Sequence, residues 1–291
     1  MSVTIGYYPG CSGSGTSVEY DLSTRAVCQR LGVVLADIPD WSCCGSTPAH
    51  TVDHVLSAAL SARNLELAAK EGCSMVTTPC PSCLTNLRTA WHKMHDTQFT
   101  SRVRALLETD CTELAEVRST LQVLVEEVGT TAVAEQVTRP LSGLKVACYY
   151  GCIMNRPPEL MQFDDPENPM AMDNLMAACG ATVLPFPLKV ECCGAAAGIP
   201  RKDIVAELTG RLLDAAAALG ADAVVTACPL CQMNLDLRQE QANAARGTHH
   251  ALPVFYFTQL MGLALGIPAQ ELGIAKLVVD PKPCLEQAGV L

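Results

Sequence analysis

The chain has 291 residues, 49% apolar and 17% charged, with 16 cysteines and a formal net charge of −10. That apolar share can build a core and excludes global disorder. The acidic balance, without a basic run, argues against a nucleic-acid binder, which needs Lys and Arg for phosphates.

In chain order, a β-branched run over residues 3–8 predicts a strand, followed by an Ala- and Leu-containing helical segment. A second strand is expected over 32–38, then the loop Trp41-Ser42-Cys43-Cys44-Gly45, then a long helix over 52–71. A third strand over 74–78 leads into Cys80-Pro81-Ser82-Cys83. A polar helical stretch over 84–117 precedes a last strand, expected at 121–125. After Arg139-Pro140-Leu141-Ser142-Gly143 the series restarts: strands over 144–149 and 181–186, a helix over 203–219 stopped by Gly220, strands over 223–226 and 254–258.

The second series repeats the motifs of the first. Tyr8-Pro9-Gly10-Cys11 returns as Tyr149-Tyr150-Gly151-Cys152, Cys43-Cys44-Gly45 as Cys192-Cys193-Gly194, and Cys80-Pro81-Ser82-Cys83 as Cys228-Pro229-Leu230-Cys231, at offsets of 141, 149 and 148 residues. The expected fold is α/β: two homologous halves, 1–140 and 141–291, each a small parallel sheet flanked by helices and related by a pseudo-two-fold. Ligands of such sheets sit beyond the carboxyl ends of the strands, where every repeated cysteine falls.

Each half therefore offers five cysteines: Cys11, Cys43, Cys44, Cys80 and Cys83 in one, Cys152, Cys192, Cys193, Cys228 and Cys231 in the other. The remaining six, Cys28, Cys73, Cys111, Cys148, Cys179 and Cys284, do not repeat in register and read as small buried apolar residues. The opening Met1-Ser2-Val3-Thr4-Ile5 carries no signal pattern, and the longest apolar stretch, over 255–269, is too short and interrupted to span a bilayer. The expected location is cytoplasmic, where structural disulfides are rare. Structural zinc is a stronger rival but takes four ligands, as does a cubane iron–sulfur cluster, leaving one cysteine over in each half. Gly45 and Gly194, able to take positive φ, suit the close approach of backbone to a bulky group. Pro81 and Pro229 predict helix starts, with amides facing the thiolates.

The doubled pattern resembles the cysteine-rich CCG domain family, and further stretches are similar to its heterodisulfide reductase members: Tyr7 to Ser12, Glu19 to Ser23, Phe163 to Pro169, Lys189 to Gly194 and Phe257 to Leu260. The resemblance implies two noncubane [4Fe–4S] clusters, each bound by one five-cysteine set, with a disulfide such as CoM-S-S-CoB cleaved, or the thiols oxidised, between them. One cluster plus zinc is the alternative cofactor content. The resemblance also implies a ferredoxin-like iron–sulfur subunit and, behind it, a flavin subunit as electron partners. Arg156 and Lys189 are candidate cations for an anionic substrate; His50, His54, His92 and His95 read as surface or helix-face residues rather than proton donors. Competing readings are a subunit of a lactate- or glycolate-oxidising complex or of bacterial sulfur oxidation, and a non-catalytic electron-transfer or zinc-stabilised subunit.

Overall fold

Two four-stranded parallel sheets carry the chain, and a computed structural model describes residues 3–46, 48–107 and 109–291. The first sheet contains β1 (Val3–Tyr7), β2 (Val33–Asp37), β3 (Met75–Thr78) and β4 (Glu116–Ser119), in the order β2-β1-β3-β4. The second contains β5 (Lys145–Tyr149), β6 (Thr182–Leu184), β7 (Ala223–Thr226) and β8 (Val254–Tyr256), in the matching order β6-β5-β7-β8. Equivalent pairs keep equivalent registers, Thr78 opposite Ser119 and Thr226 opposite Tyr256. Strands this short, nearly all buried, must be covered on both faces, as parallel sheets require.

The covering helices are α1 (Val18–Arg30), α2 (His54–Lys70), α3 (Pro81–Lys93) and α4 (Thr120–Val123) in the first half. Their counterparts are α5 (Ala171–Ala178), α6 (Lys202–Ala218), α7 (Pro229–Leu235) and α8 (Phe257–Ala264). The halves interlock reciprocally: α1 of the first packs on α8 of the second, and α5 of the second on α4 of the first. This exchange is the contact expected of a pseudo-two-fold. At its centre Tyr20 stacks on Tyr256, with centroids 4.0 Å apart and rings inclined by 8°. Beside them Ser23 Oγ and Thr258 Oγ1 are 2.7 Å apart. Such a ring pair contributes about 0.5–1.5 kcal/mol beyond its area burial. A single apolar cluster consequently runs from Ile5 and Val76 through Leu124 to Val146, Val225 and Phe255.

Two expected elements are corrected. The run over 121–125 is helical: β4 ends at Ser119, whose Oγ accepts a hydrogen bond from Gln122 N at 3.0 Å and caps α4. A short apolar run cannot by periodicity alone be told from a buried helix turn. The strand lies just before it, so the polar stretch expected as helix through 117 is helical only over Pro81–Lys93 and Thr97–Arg104. The long helix of the first half also starts later than expected. Asp53 accepts from the N–H groups of Val55 and Leu56 and begins α2 at His54.

Two paired cysteine sites

The strand order fixes where the cysteines meet. In each sheet the chain progresses outward in opposite directions from the central pair, β1 and β3 or β5 and β7, so loops leaving that pair part and open a crevice. Cys11, on a single helical turn Gly10–Gly13, and Cys80 flank the first crevice, and Cys43 and Cys44 join from the edge strand. Cys152, Cys228 and the pair Cys192–Cys193 repeat this in the second half.

Cys80 and Cys228 are the N-cap residues of α3 and α7, and Pro81 and Pro229 are the first helical residues, as the spacing predicts. Cys83 and Cys231 therefore stand in the first helical turn. Cys44 Sγ lies 3.4 Å from Cys83 Sγ, and Cys193 Sγ 3.7 Å from Cys231 Sγ. These buried sulfurs form the floor of each site, together with Cys80 and Cys228, whereas Cys11, Cys43 and Cys192 are exposed and Cys152 is half-buried. The five donors of a half come from three loops. Among the described residues no three His, Cys, Asp or Glu side chains converge on one ion-sized point.

The floor favours thiolates. A hydrogen bond with Cys83, then the backbone amides of Cys83 and Ser82, bring Cys80 down to about 7. Cys231, then Ala195 N–H and Asn234, bring Cys193 down to about 6. Cys83 and Cys231 are pushed well up by the sulfurs they bond to. Burial, then Cys192, raises Cys152 to about 12. Thiols crowded in this way repel one another when ionised, and cations among them would relieve it. Thiolates, helix amides and glycine-lined walls form a donor set that fits a sulfur-ligated metal cluster.

The glycines bear this out. Gly45 and Gly194 have φ of +77° and +83°, and each turns its N–H toward the sulfur two residues earlier, at 3.5 Å from Cys43 Sγ and 3.2 Å from Cys192 Sγ. Sequence reasoning missed a second pair. A Cβ on Gly10 would stand 3.0 Å from Cys83 Sγ, and one on Gly151 would stand 2.9 Å from Cys231 Sγ. Their recurrence directly before Cys11 and Cys152 was the available signal. Also missed were Asn86 and Asn234, each three residues after the last cysteine. Their side-chain amides donate to Cys44 O at 3.0 Å and Cys193 O at 3.1 Å. Ser61 and Thr209 donate to the same two carbonyls. Tyr8 and Tyr149 hold the loops from the other side, through Ser42 O and Glu191 O. Each double-cysteine loop is thus pinned by three side chains in the same arrangement.

The two candidate cations are both engaged. Lys189 is 5% exposed and bonds Asp173 Oδ1 at 2.6 Å and Pro169 O at 3.0 Å. Its charge is committed to a buried ion pair instead of being presented to a substrate, and its carbonyl accepts from the N–H groups of Tyr150 and Gly151 beside Cys152. Arg156 is half-buried and reaches Glu167 at 2.6 Å and the carbonyls of Pro166 and Val190. Of the six unrepeated cysteines, Cys28, Cys73, Cys111, Cys148 and Cys179 are buried as expected, and Cys284 is half-buried. His50 and His54 pair edge to face with each other, and His95 bonds carbonyls of its own helix; neither arrangement reaches a cysteine site.

Comparison with known proteins agrees with this geometry. The family model of the cysteine-rich CCG domain matches twice, over residues 5–88 and 146–236. The chain is 37% identical to the 8-methylmenaquinol:fumarate reductase membrane anchor subunit of Wolinella succinogenes, over 96% of this chain and 98% of that one. It is 31% identical to a subunit of the ferredoxin:CoB-CoM heterodisulfide reductase of Methanosarcina mazei, over 93% of this chain and 92% of that one. Among the described residues no helix is long and apolar enough to cross a membrane. In fold it is similar to a hypothetical protein from Helicobacter pylori, with a TM-score of 0.74 at 13% identity, covering 95% of this chain and about half (52%) of that structure. The chain belongs to the cysteine-rich CCG domain family as a two-repeat member, homologous over nearly its whole length to CCG-type subunits of heterodisulfide reductases.

Proposed function

We propose that the protein is an iron–sulfur oxidoreductase subunit whose two five-cysteine sets each hold a noncubane [4Fe–4S] cluster, and that the two sites act together on one small disulfide or its thiols. The observation that carries this reading is the duplication of the complete site: five thiols, two positive-φ or close-approach glycines and an asparagine clamp, in both halves of one body. Cys11, Cys43, Cys44, Cys80 and Cys83 would hold one cluster, and Cys152, Cys192, Cys193, Cys228 and Cys231 the other. When bound, the clusters would supply electrons and landing sites for sulfur. The reaction balances as one disulfide, two electrons and two protons giving two thiols. The protein's own part is to keep floor thiols ionised and to fix both double-cysteine loops through Asn86, Asn234, Tyr8 and Tyr149.

The relatives from Wolinella and Methanosarcina are named as reductase subunits, which supports electron delivery by partner subunits, a ferredoxin-like iron–sulfur protein and a flavoprotein behind it. With Lys189 and Arg156 both held by carboxylates, neither charge is presented to a strongly anionic disulfide.

A second reading has its own support. The relative at 37% identity is named for a methylmenaquinol:fumarate reductase, so the paired sites would there serve electron transfer between a quinol and a dicarboxylate-reducing partner. Iron, acid-labile sulfide and zinc per chain, measured on protein purified without oxygen, test the cofactor. About eight irons with matching sulfide supports two clusters, and about four irons with one zinc makes one site structural. Reoxidation of the dye-reduced protein by a disulfide, but not by a quinone, then selects the first reading, and the reverse selects the second.

A further inference from the structure

Among the described residues, five side chains have a buried polar atom without a hydrogen-bond partner: Thr24, His92, Asn155, Thr226 and Tyr256. Two of these are neighbours. Thr226 and Tyr256 are register partners at the carboxyl ends of β7 and β8, and both are fully buried. Orphaned buried hydroxyls are rare in folded proteins, and two side by side mark a place where another molecule completes the bonding.

Their position says which molecule. The Tyr256 ring stacks on Tyr20 of the other half, and Tyr20 Oη donates to Ala227 O at 3.2 Å, one residue before Cys228. After burial, which is the largest influence, Glu19, Cys228 and Cys80 each push the Tyr256 hydroxyl upward, so the charge of one cysteine from each site reaches it. Ser17 lies beside the hydroxyl without closing a hydrogen bond. A tyrosine held so far above its ordinary range keeps its proton. It is a donor, and the negative charge it faces comes from both cysteine sets.

We propose that the Tyr256 hydroxyl, with Thr226 beside it, is the hydrogen-bond donor to the sulfur of a small thiol or disulfide held between the two cysteine sites. This rests on the paired-site reading above and adds to it the group that stabilises charge on sulfur. When the S–S bond breaks, two electrons from the reduced partner protein enter and each sulfur gains negative charge. Tyr256 stabilises one of them without losing its own proton, and the two protons of the product thiols come from solvent. A donor aimed at developing charge in a water-poor site acts far more strongly than in water.

The test uses the iron-loaded protein purified without oxygen, in wild-type form and as Tyr256→Phe, with Tyr20→Phe as the comparison. Titration with 2-mercaptoethanol is followed by electron paramagnetic resonance of the oxidised protein. Tyr256→Phe, with iron content unchanged, is expected to weaken thiol binding about tenfold or more, and Tyr20→Phe much less. Equal affinity in wild type and Tyr256→Phe overturns the proposal. A crystal structure of the same thiol-treated wild-type protein decides the matter independently, including where Tyr256→Phe loses iron or wild type binds no thiol. Tyr256 Oη bonded to a ligand or cluster sulfur supports the inference; Oη packed only against carbon, or bonded only to Ser17, overturns it. Wild type that binds no thiol fails the disulfide reading on the titration alone, whereas the structure still answers for Tyr256.

Discussion

Gly151 lies so close to Cys231 that a methyl group on its Cα would stand 2.9 Å from the sulfur. Gly10 repeats this against Cys83 at 3.0 Å, and both glycines have positive φ, +77° and +64°. Side chain and backbone conformation are therefore both forbidden to other residues at these places. Gly151→Ala combines about 1 kcal/mol or more of left-handed strain with displacement of a floor sulfur. The expected result is a lower melting temperature and loss of about half the iron, with Gly10→Ala doing the same for the other site. Full iron in both variants would show that the sulfurs can move aside.

Cys44 and Cys193 are buried floor donors whose thiolates are favoured, Cys44 by its hydrogen bond with Cys83 and Cys193 by its bond with Cys231. Cys44→Ser or Cys193→Ser should remove or alter one cluster, leave the other, and lower disulfide-dependent turnover by about a hundredfold or more, because both sulfurs of the substrate need a landing site. Cys28→Ala and Cys111→Ala should leave iron content unchanged, since burial keeps those thiols protonated, at about 12 and about 11. Iron and sulfide analysis of the four variants, beside turnover with a reduced dye, checks both halves of this sorting.

Lys189 and Asp173 form an ion pair in which both side chains are almost wholly buried, 6% and 4% exposed. Tyr150 Oη also donates to Asp173, at 2.7 Å, and its backbone N–H bonds Lys189 O. Lys189→Met leaves a buried carboxylate unpaired and should cost about 3–5 kcal/mol. The double variant Lys189→Met, Asp173→Leu should recover much of that, because two matched apolar groups leave no charge behind. Urea unfolding of the three proteins measures it, and a single variant as stable as wild type would mean that the pair does not hold the Cys152 loop.

How much of this was legible in the chain follows from what each feature depends on. The ten cysteines, Gly45, Gly194, Pro81 and Pro229 were readable because cluster-type sites impose residue identity at fixed short spacings. Asn86 and Asn234 repeat at the offset of the cysteines and carry the same signal, but asparagine is not a ligand and its clamping role shows only in the folded loops. The strand before α4 was misplaced, since the apolar run over 121–125 carries no period that separates a strand from a buried turn. The fate of Lys189 depends on Asp173 in another element, and the Tyr20–Tyr256 stack joins opposite halves of the chain. Neither leaves a local pattern.

Glu19 lies at the same seam, one residue before Tyr20, lining a cleft of about 420 Å³ with Asp236 and Lys276. Burial raises its carboxyl above the ordinary range, Asp236 adds to this, and Lys276 opposes it. The folded state therefore binds the proton more tightly than the unfolded chain. The stability this contributes is fully present below the unfolded pKa of about 4.3 and is lost as pH rises through the folded value. Glu19→Gln carries a permanently neutral group of the same shape. It should be more stable than wild type near neutrality, with the gap closing as pH falls toward the ordinary glutamate range. Asp236, also raised chiefly by burial, titrates in both proteins, so the difference between them isolates Glu19. Melting temperatures of the pair across that range measure it. A gap that does not change with pH would mean that Glu19 is stabilised by shape alone and that its carboxyl is solvated in the cleft.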